Sequence, residues 1–289
     1  MNSSEQLSKY LSQAILLEVA AAPKPGLVTR HSNGAHRDMS LLTFAMSSAV
    51  AASAFFASGR IGNAHGGSLP ELFQALRRYG REAEKELLQS TQGVNTQRGI
   101  LFAGCLLAGA AGYLEQEGQA LTVRNVCRTV AAMTEGLVDR ELKSLKQEAA
   151  VTAGEKLYVR HHITGIRGEA EKGFPSVMTH GLPGLRDAFK NGATLNDACV
   201  HALLALMTVA EDSNVVWRTD YESLLWLRER AEQVFSLGSI YTGKGYEAIR
   251  ELDHDCIERR ISPGGCADLL SVTLALYLLE NKEFPTKVM

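Results

Sequence analysis

Residues 7–39 read LSKYLSQAILLEVAAAPKPGLVTRHSNGAHRDM, and the first half of that string decides how the chain is built. A spacing of 3.6 residues puts Leu7, Leu11, Ala14, Ile15 and Ala22 on one stripe, so a helix is predicted over residues 4–22. Glu18 falls in the middle of that stripe. A carboxylate among apolar side chains costs free energy unless it is paired, bound to a metal or used as a tuned acid or base. The helix alone is compatible with a buried ion pair, to Lys24 or to an arginine from elsewhere, and equally with a chemical role. Pro23 and Pro25 end the helix and hold Lys24 in an extended segment, while Gly26 permits a positive φ angle or close approach of a ligand. The loop that follows carries Thr29, Arg30, His31, Asn33, His36, Arg37 and Asp38, more polar chemistry than a connector needs.

Outward from this stretch, helical periodicity recurs at lengths of three to five turns and runs of β-branched alternation are almost absent. Helices are predicted over 40–58, 69–90, 96–116, 122–137, 140–160, 168–190, 194–211, 219–237, 245–259 and 263–281. The class is all-α. Residues 157–164 could pass for a short strand, but one isolated strand has nothing to pair with. At 289 residues with no long linker, repeat or low-complexity segment, a single domain over 1–289 is expected, with its site in a cleft between helices.

Composition excludes several classes. A net charge of −2 gives no basic field, so nucleic acid is not an expected partner and any polyanion must be met by a local cluster. Cys105, Cys127, Cys199, Cys256 and Cys266 stand singly with no CxxC pair, the pattern of buried free thiols in a reducing cytoplasm. The N-terminus has no cationic region followed by an apolar one, so no signal peptide is expected. The uncharged run from Gly99 to Leu114 is shorter than the roughly 20 apolar residues of a membrane span and carries four glycines; it is predicted to be a buried central helix. No membrane association is expected, and a homodimer is left open.

Further motifs carry chemistry. In the second helix Leu41, Phe44, Ala45, Ser48, Ala52, Phe55 and Phe56 are predicted to face the core. The run Arg77, Arg78, Arg81, Glu82, Glu84, Lys85 and Glu86 is predicted to be a solvated face. Asn95 or Thr96 can cap the uncharged helix that follows, and the free N–H groups of its first turn, with Arg98, form a natural phosphate site. The residues around Asp139, Arg140, Glu141 and Leu142 look ordinary and amphipathic. His161 and His162 are adjacent and no HExxH is present, so no zinc site is expected. In Arg167-Gly168-Glu169-Ala170-Glu171, at most one glutamate faces a site if the piece is helical, and Glu169 is favoured. The helix over 194–211 ends in Glu211-Asp212-Ser213-Asn214, acids at a C-terminus that oppose the macrodipole unless a cation sits there. Asp212 with the Asn214 carbonyl suits magnesium, which takes oxygen ligands and keeps waters and substrate phosphates in its shell. Last, Ser262-Pro263-Gly264-Gly265-Cys266-Ala267-Asp268 reads as a serine cap with proline at the first helical position. Gly264 and Gly265 then leave the first-turn N–H groups open to an anion, with Asp268 one turn in.

These strings together resemble the triphosphoribosyl-dephospho-CoA synthase family. PKPGLV, with its upstream glutamate and the downstream NGAHRDM, is similar to that family's signature. GVNTQRG resembles its GVNTHKG, with Gln97 and Arg98 where histidine and lysine often stand. RGEAE, Asp212-Ser213-Asn214 and SPGGCADLL follow in family order, with Cys266 in place of a serine. The resemblance implies a transferase that joins the ribose of ATP to the 2′-hydroxyl of 3′-dephospho-CoA, expels adenine and keeps the triphosphate. Its product would be the prosthetic-group precursor of citrate lyase or malonate decarboxylase. The expected roles are Glu18 as base and Glu169 at the leaving adenine. Lys24, Gly26, Asn33, His36, Asn95, Thr96, Arg98, Arg167, Gly264 and Gly265 are expected to bind substrate or phosphate, and Asp212, Asn214 and Asp268 to hold Mg2+. A magnesium-dependent hydrolase of the nucleotide glycosidic bond and a non-catalytic helical factor for an acyl-carrier subunit are the alternatives.

Overall fold

The computed structural model describes residues 3–143, 150 and 152–285, and among them there are helices and no strands. In chain order the helices are α1 (Ser3–Ala20), α2 (Leu41–Asn63), α3 (Leu69–Ser90), α4 (Arg98–Gln116), α5 (Val123–Met133), α6 (Ala153–His161), α7 (Gly165–Glu171), α8 (Leu182–Lys190), α9 (Leu195–Met207), α10 (Ser213–Arg218), α11 (Tyr221–Ser236), α12 (Gly243–Arg259) and α13 (Gly264–Asn281). Local sequence sets many of the starts. Thr194, Asp220 and Thr242 each accept a first-turn backbone N–H, at 3.1, 2.7 and 2.9 Å, and so begin α9, α11 and α12.

α4 and α13 are apolar almost all round, as helices surrounded by others must be. α4 lies along α2 and α1, and α1 lies along α13. α3 and α5 cover the outer side of α4, while α8 and α9 cover α13 and are backed by α11 and α12. Leu7, Leu11, Ala14 and Ile15 are fully buried, as the 3.6-residue stripe predicts. All five cysteines are free and buried.

Several sequence expectations are corrected. The predicted helix over 140–160 is not continuous: a π turn covers Asp139–Lys143, α6 begins only at Ala153, and residues 144–149 and 151 lie outside the described residues. The predicted helix over 168–190 breaks at Gly173-Phe174-Pro175, where Phe174 takes φ 60° and proline offers no N–H to carry the ladder forward; a π turn at Val177–Gly181 then leads into α8. The candidate strand at 157–164 is the end of α6 and the turn after it.

In α2 the face toward the core is Ser48, Ala51, Phe55, Ser58 and Gly62, whereas Leu41 and Ala45 are exposed. Its uncharged run, residues 39–59, is longer than the one in α4. By length and composition both α2 and α4 could cross a membrane; 72% of the apolar window of α4 is buried in the bundle and 33% of that of α2.

The α2–α4 crossing depends on glycine. A Cβ on Gly62 would stand 2.0 Å from the Gly109 carbonyl oxygen, and one on Gly112 would stand 2.0 Å from that of Gly59. The backbones touch, and no rotamer change could make room. Gly112→Ala should therefore lower the unfolding free energy by about 1–3 kcal/mol, the usual cost of overpacking. Gly80→Ala, in α3 with nothing within 4 Å of the new methyl, should stabilise by about 0.5–1 kcal/mol. Thermal melts of the two variants should shift in opposite directions.

Candidate active site

The starts of α4, α10 and α13 converge near the C-terminal turn of α1, and a cavity of about 440 Å³ opens between them and α3, α6 and α7. Helix starts present unpaired N–H groups and a partial positive charge. Here buried acids take up that charge.

Asp212 is buried and opens α10 rather than closing α9. Its Oδ1 accepts the Asn214 and Val215 N–H groups at 3.0 and 3.1 Å, and its Oδ2 accepts the Cys266 N–H at the start of α13 at 2.8 Å. The Gly265 N–H is also directed at it. One carboxylate thus ties two helix starts together, which corrects the view of Asp212 as an acid opposing a helix dipole. With four N–H donors around it, its lone-pair sites are filled. The same geometry corrects the expectation for Gly264 and Gly265. Ser262 does not cap α13, and the first-turn N–H groups are not open to an anion, because Asp212 and the Ser262 carbonyl already accept them. The two glycines line the cavity and admit Asn214 and Asp212 to close contact.

Asp268 does for α4 what Asp212 does for α13. It accepts the Ile100 N–H, and a Cβ on Gly99 would lie 1.9 Å from its Oδ2, so only glycine lets the carboxylate reach this helix start. Neither Asn95 nor Thr96 caps α4. The residue at the cap is Gln97, whose buried Oε1 accepts from the Ser47 hydroxyl at 2.6 Å and makes no cap. Asn95 and Thr96 line the cavity instead, and the Thr96 Oγ1 is buried without a partner among the described residues.

Glu18 also lines the cavity. Its Oε1 accepts from Lys24, and both residues are buried. Of the two readings of Glu18, the ion pair to Lys24 is present, and the second oxygen has no hydrogen-bond partner among the described residues. Burial pushes the Glu18 carboxyl up and Lys24 pulls it back. The segment carrying Lys24 is pinned by Asn196, which exchanges hydrogen bonds with the Ala22 N–H and carbonyl at 3.0 and 2.6 Å.

Other predicted residues divide. Gly26 does take a positive φ, 70°, but the atom it approaches is the Ile261 carbonyl oxygen, and it lies outside the cavity lining. Asn33 is exposed and also outside it. His36 lines the cavity, but shares a 2.7 Å hydrogen bond with the Ser262 hydroxyl and is held down to about 4 by burial and by Arg218. Glu169 lines the cavity, while Glu171 turns away to accept the Val138 N–H. The Glu169 carboxylate accepts from the Ser176 hydroxyl at 2.5 Å and the Ser176 N–H at 3.2 Å, and burial pushes it up.

Arg98 and Arg167 both line the cavity, each paired: Arg98 with Glu84 at 2.5 Å, Arg167 with Glu141 at 3.2 Å. Glu141 also takes Arg77 on its other oxygen. The supposedly solvated face of α3 therefore turns Arg77, Arg81 and Glu84 into the cavity, and the unremarkable stretch at Glu141 supplies the partner of Arg77.

The donor set bears on magnesium. Among the described residues there is no group of three His, Cys, Asp or Glu that could hold a metal, which leaves an ion that completes its shell with water and substrate oxygens. The charges fit such an ion. Glu18, Asp212 and Asp268 stand within mutual electrostatic reach against the single ammonium of Lys24, and Asp268 is pushed well up by burial, by Glu18 and by Asp212. Since Asp212 is consumed by backbone donors, the oxygens that could face a cation, among the described residues, are the Asp268 oxygen not given to Ile100, the second Glu18 oxygen and the Asn214 Oδ1, the Asn214 amide NH2 being given to the Ser262 carbonyl at 2.9 Å.

The fold is an all-helical bundle whose cavity is lined by both buried acids and arginines, a lining suited to charged substrates. The chain belongs to the ATP:dephospho-CoA triphosphoribosyl transferase family, whose pattern matches residues 4–286. It is 43% identical to a probable 2-(5″-triphosphoribosyl)-3′-dephosphocoenzyme-A synthase of Malonomonas rubra, over 99% of this chain and 91% of that one. It is 39% identical to the synthase of that name from Pectobacterium atrosepticum, over 94% and 88%, and 38% identical to a probable one from Vibrio cholerae, over 92% and 85%. No solved structure matches the chain.

The raised Asp268 carboxyl has a consequence for stability. In the folded protein it keeps its proton at pH values where the unfolded chain, near 3.8, has lost it. Folding stability is then highest below 3.8 for this group and falls as pH rises toward the folded value. In chelator, Asp268→Asn should melt higher than the parent at neutral pH, and the gap should close as pH is lowered toward 4. A gap that is absent at neutral pH, or widens on acidification, would contradict the placement.

Proposed function

We propose that the protein transfers the 5-triphosphoribosyl group of ATP to the 2′-hydroxyl of 3′-dephospho-CoA and releases adenine. The observation that carries the reading is the open Glu18 oxygen, presented to the cavity beside Lys24 and the Asp268 carboxylate. ATP carries its base in the β configuration, so one displacement with inversion gives an α-linked product. The acceptor hydroxyl gives its proton to Glu18 as its oxygen forms the bond to the anomeric carbon, and the pair of the breaking C–N bond leaves with adenine. Inverting glycosyl transfer divides work in this way between a base and a group that helps the leaving base. Burial raises Glu18 toward the range in which a general base works, and the Lys24 ammonium keeps it ionised. Glu169, also raised by burial, is the cavity-lining acid we assign to the adenine side.

Asp268 and Asn214 would hold magnesium, which supplies positive charge against the triphosphate when bound. We take the product to be the prosthetic-group precursor of citrate lyase or malonate decarboxylase. A cytoplasmic setting accords with five free buried thiols.

Chromatography of the reaction separates the alternatives. Adenine should appear only when ATP, dephospho-CoA and magnesium are all present; ADP or AMP would mean phosphoryl or adenylyl transfer, and ribose triphosphate without acceptor would mean hydrolysis. Glu18→Gln should keep ATP binding and lose about two to four powers of ten in kcat, the usual reach of general-base catalysis. Near-normal turnover in that variant would leave Glu18 as no more than the partner of Lys24.

A further inference from the structure

Besides Glu18 and Asp268, the cavity lining carries a second charged pole. Arg77 and Arg81 come from α3, Arg98 from the start of α4 and Arg167 from α7, and each of these side chains lines the cavity. They lie within electrostatic reach of one another: Arg77 senses Arg81 and Arg167, and Arg167 senses Arg98. Two cavity-lining carboxylates answer them. Glu141 gives one oxygen to Arg77 and the other to Arg167, and Glu84 pairs with Arg98. Arg81 is exposed and has no ion-pair partner among the described residues. Arg140 and Glu155 act on the pole from outside the cavity lining and are of opposite sign. Four guanidinium groups therefore face two carboxylates, a local excess of positive charge in a protein whose net charge is −2.

We infer that this pole is the diphosphate-binding site of the acceptor substrate, an inference that rests on the transferase reading above. Three observations favour the acceptor over the triphosphate of ATP. The internal diphosphate of dephospho-CoA is a diester with two negative charges, which the unanswered guanidinium groups match; the triphosphate, more highly charged, suits the acid pole only with a divalent cation, and that pole has the oxygens for one. The guanidinium pole is continuous with an apolar wall of Phe73, Leu76 and Leu106. A diphosphate that continues into an uncharged arm needs such a wall, whereas a terminal triphosphate does not. Thr96, two residues before Arg98, adds a buried hydroxyl with no partner among the described residues. Glu141 acts as a positioning residue: by taking one nitrogen group from each of two arginines it fixes their planes and leaves their remaining N–H donors for the ligand.

The test is the split between two KM values. Arg81→Gln changes an exposed side chain with no partner to lose, and should raise KM for dephospho-CoA about three- to tenfold while KM for ATP stays within twofold. Arg77→Gln should raise the acceptor KM tenfold or more, the effect of one charge-assisted contact. Calorimetric titration of dephospho-CoA into the parent and the Arg81 variant, with ATP absent, gives the same comparison without turnover. Failure of the parent to release adenine would thus count against the activity, and unchanged acceptor affinity in the variant would count against the site. Arg81→Gln raising KM for ATP as much as or more than that for dephospho-CoA would overturn the assignment and place the triphosphate at the arginines.

Discussion

The carboxylate of Asp212 joins the starts of α10 and α13, and the rest of the site depends on that joint. A short helix of six residues has little stability of its own. It is held because its first N–H groups, and those of the long central helix α13, converge on one buried charge. Each such cap is worth about 0.5–2 kcal/mol. The arrangement places Asn214, Gly264, Gly265 and, one turn further on, Asp268 around one end of the cavity. Asp268 repeats the device on α4, so that three helix starts meet over two acids.

Two consequences follow from packing acids at helix starts. The helix dipoles make burial of Asp212 and Asp268 tolerable, and Asp212 leaves no lone pair unused. Among the described residues Asp268 and Glu18 are answered by the Lys24 ammonium alone, a balance that would suit a divalent cation bound with a polyphosphate. The arginine cluster is the complement. Its guanidinium groups are neutralised only in part by Glu84 and Glu141 among the described residues, so one cavity is lined by groups of both signs, and neither cluster reflects the protein's overall balance.

Much of the fold was legible because it depends on periodicity and punctuation, which are local. The stripe through Leu7, Leu11, Ala14 and Ile15, the apolar run of α4 and the glycine-rich start of α13 all emerged from spacing alone. The non-helical residues at 150, 152 and 172–174 did not, since a helical pattern of apolar residues continues across them. At the site, the string order located Glu18, Glu169, Asp212, Asn214 and Asp268 on one cavity. What it could not convey was direction. Asp212 read as a C-terminal acid because its helix begins at the next residue, and the α13 start read as open because its occupant is 54 residues away in the chain. Arg77, Arg81 and Glu141 read as ordinary surface for the same reason: their meaning lies in a pairing between α3 and a turn far along the sequence.

In the proposed site Asp268 would offer the cation-facing oxygen, while Asp212 is consumed in holding the helix starts. Manganese in place of magnesium makes the difference visible, because the electron paramagnetic resonance of the free ion reports how much is bound. In the presence of ATP, Asp268→Asn should weaken manganese binding at least tenfold without loss of helical content by circular dichroism. Retained manganese affinity in that variant would contradict the account and return the metal to Asp212.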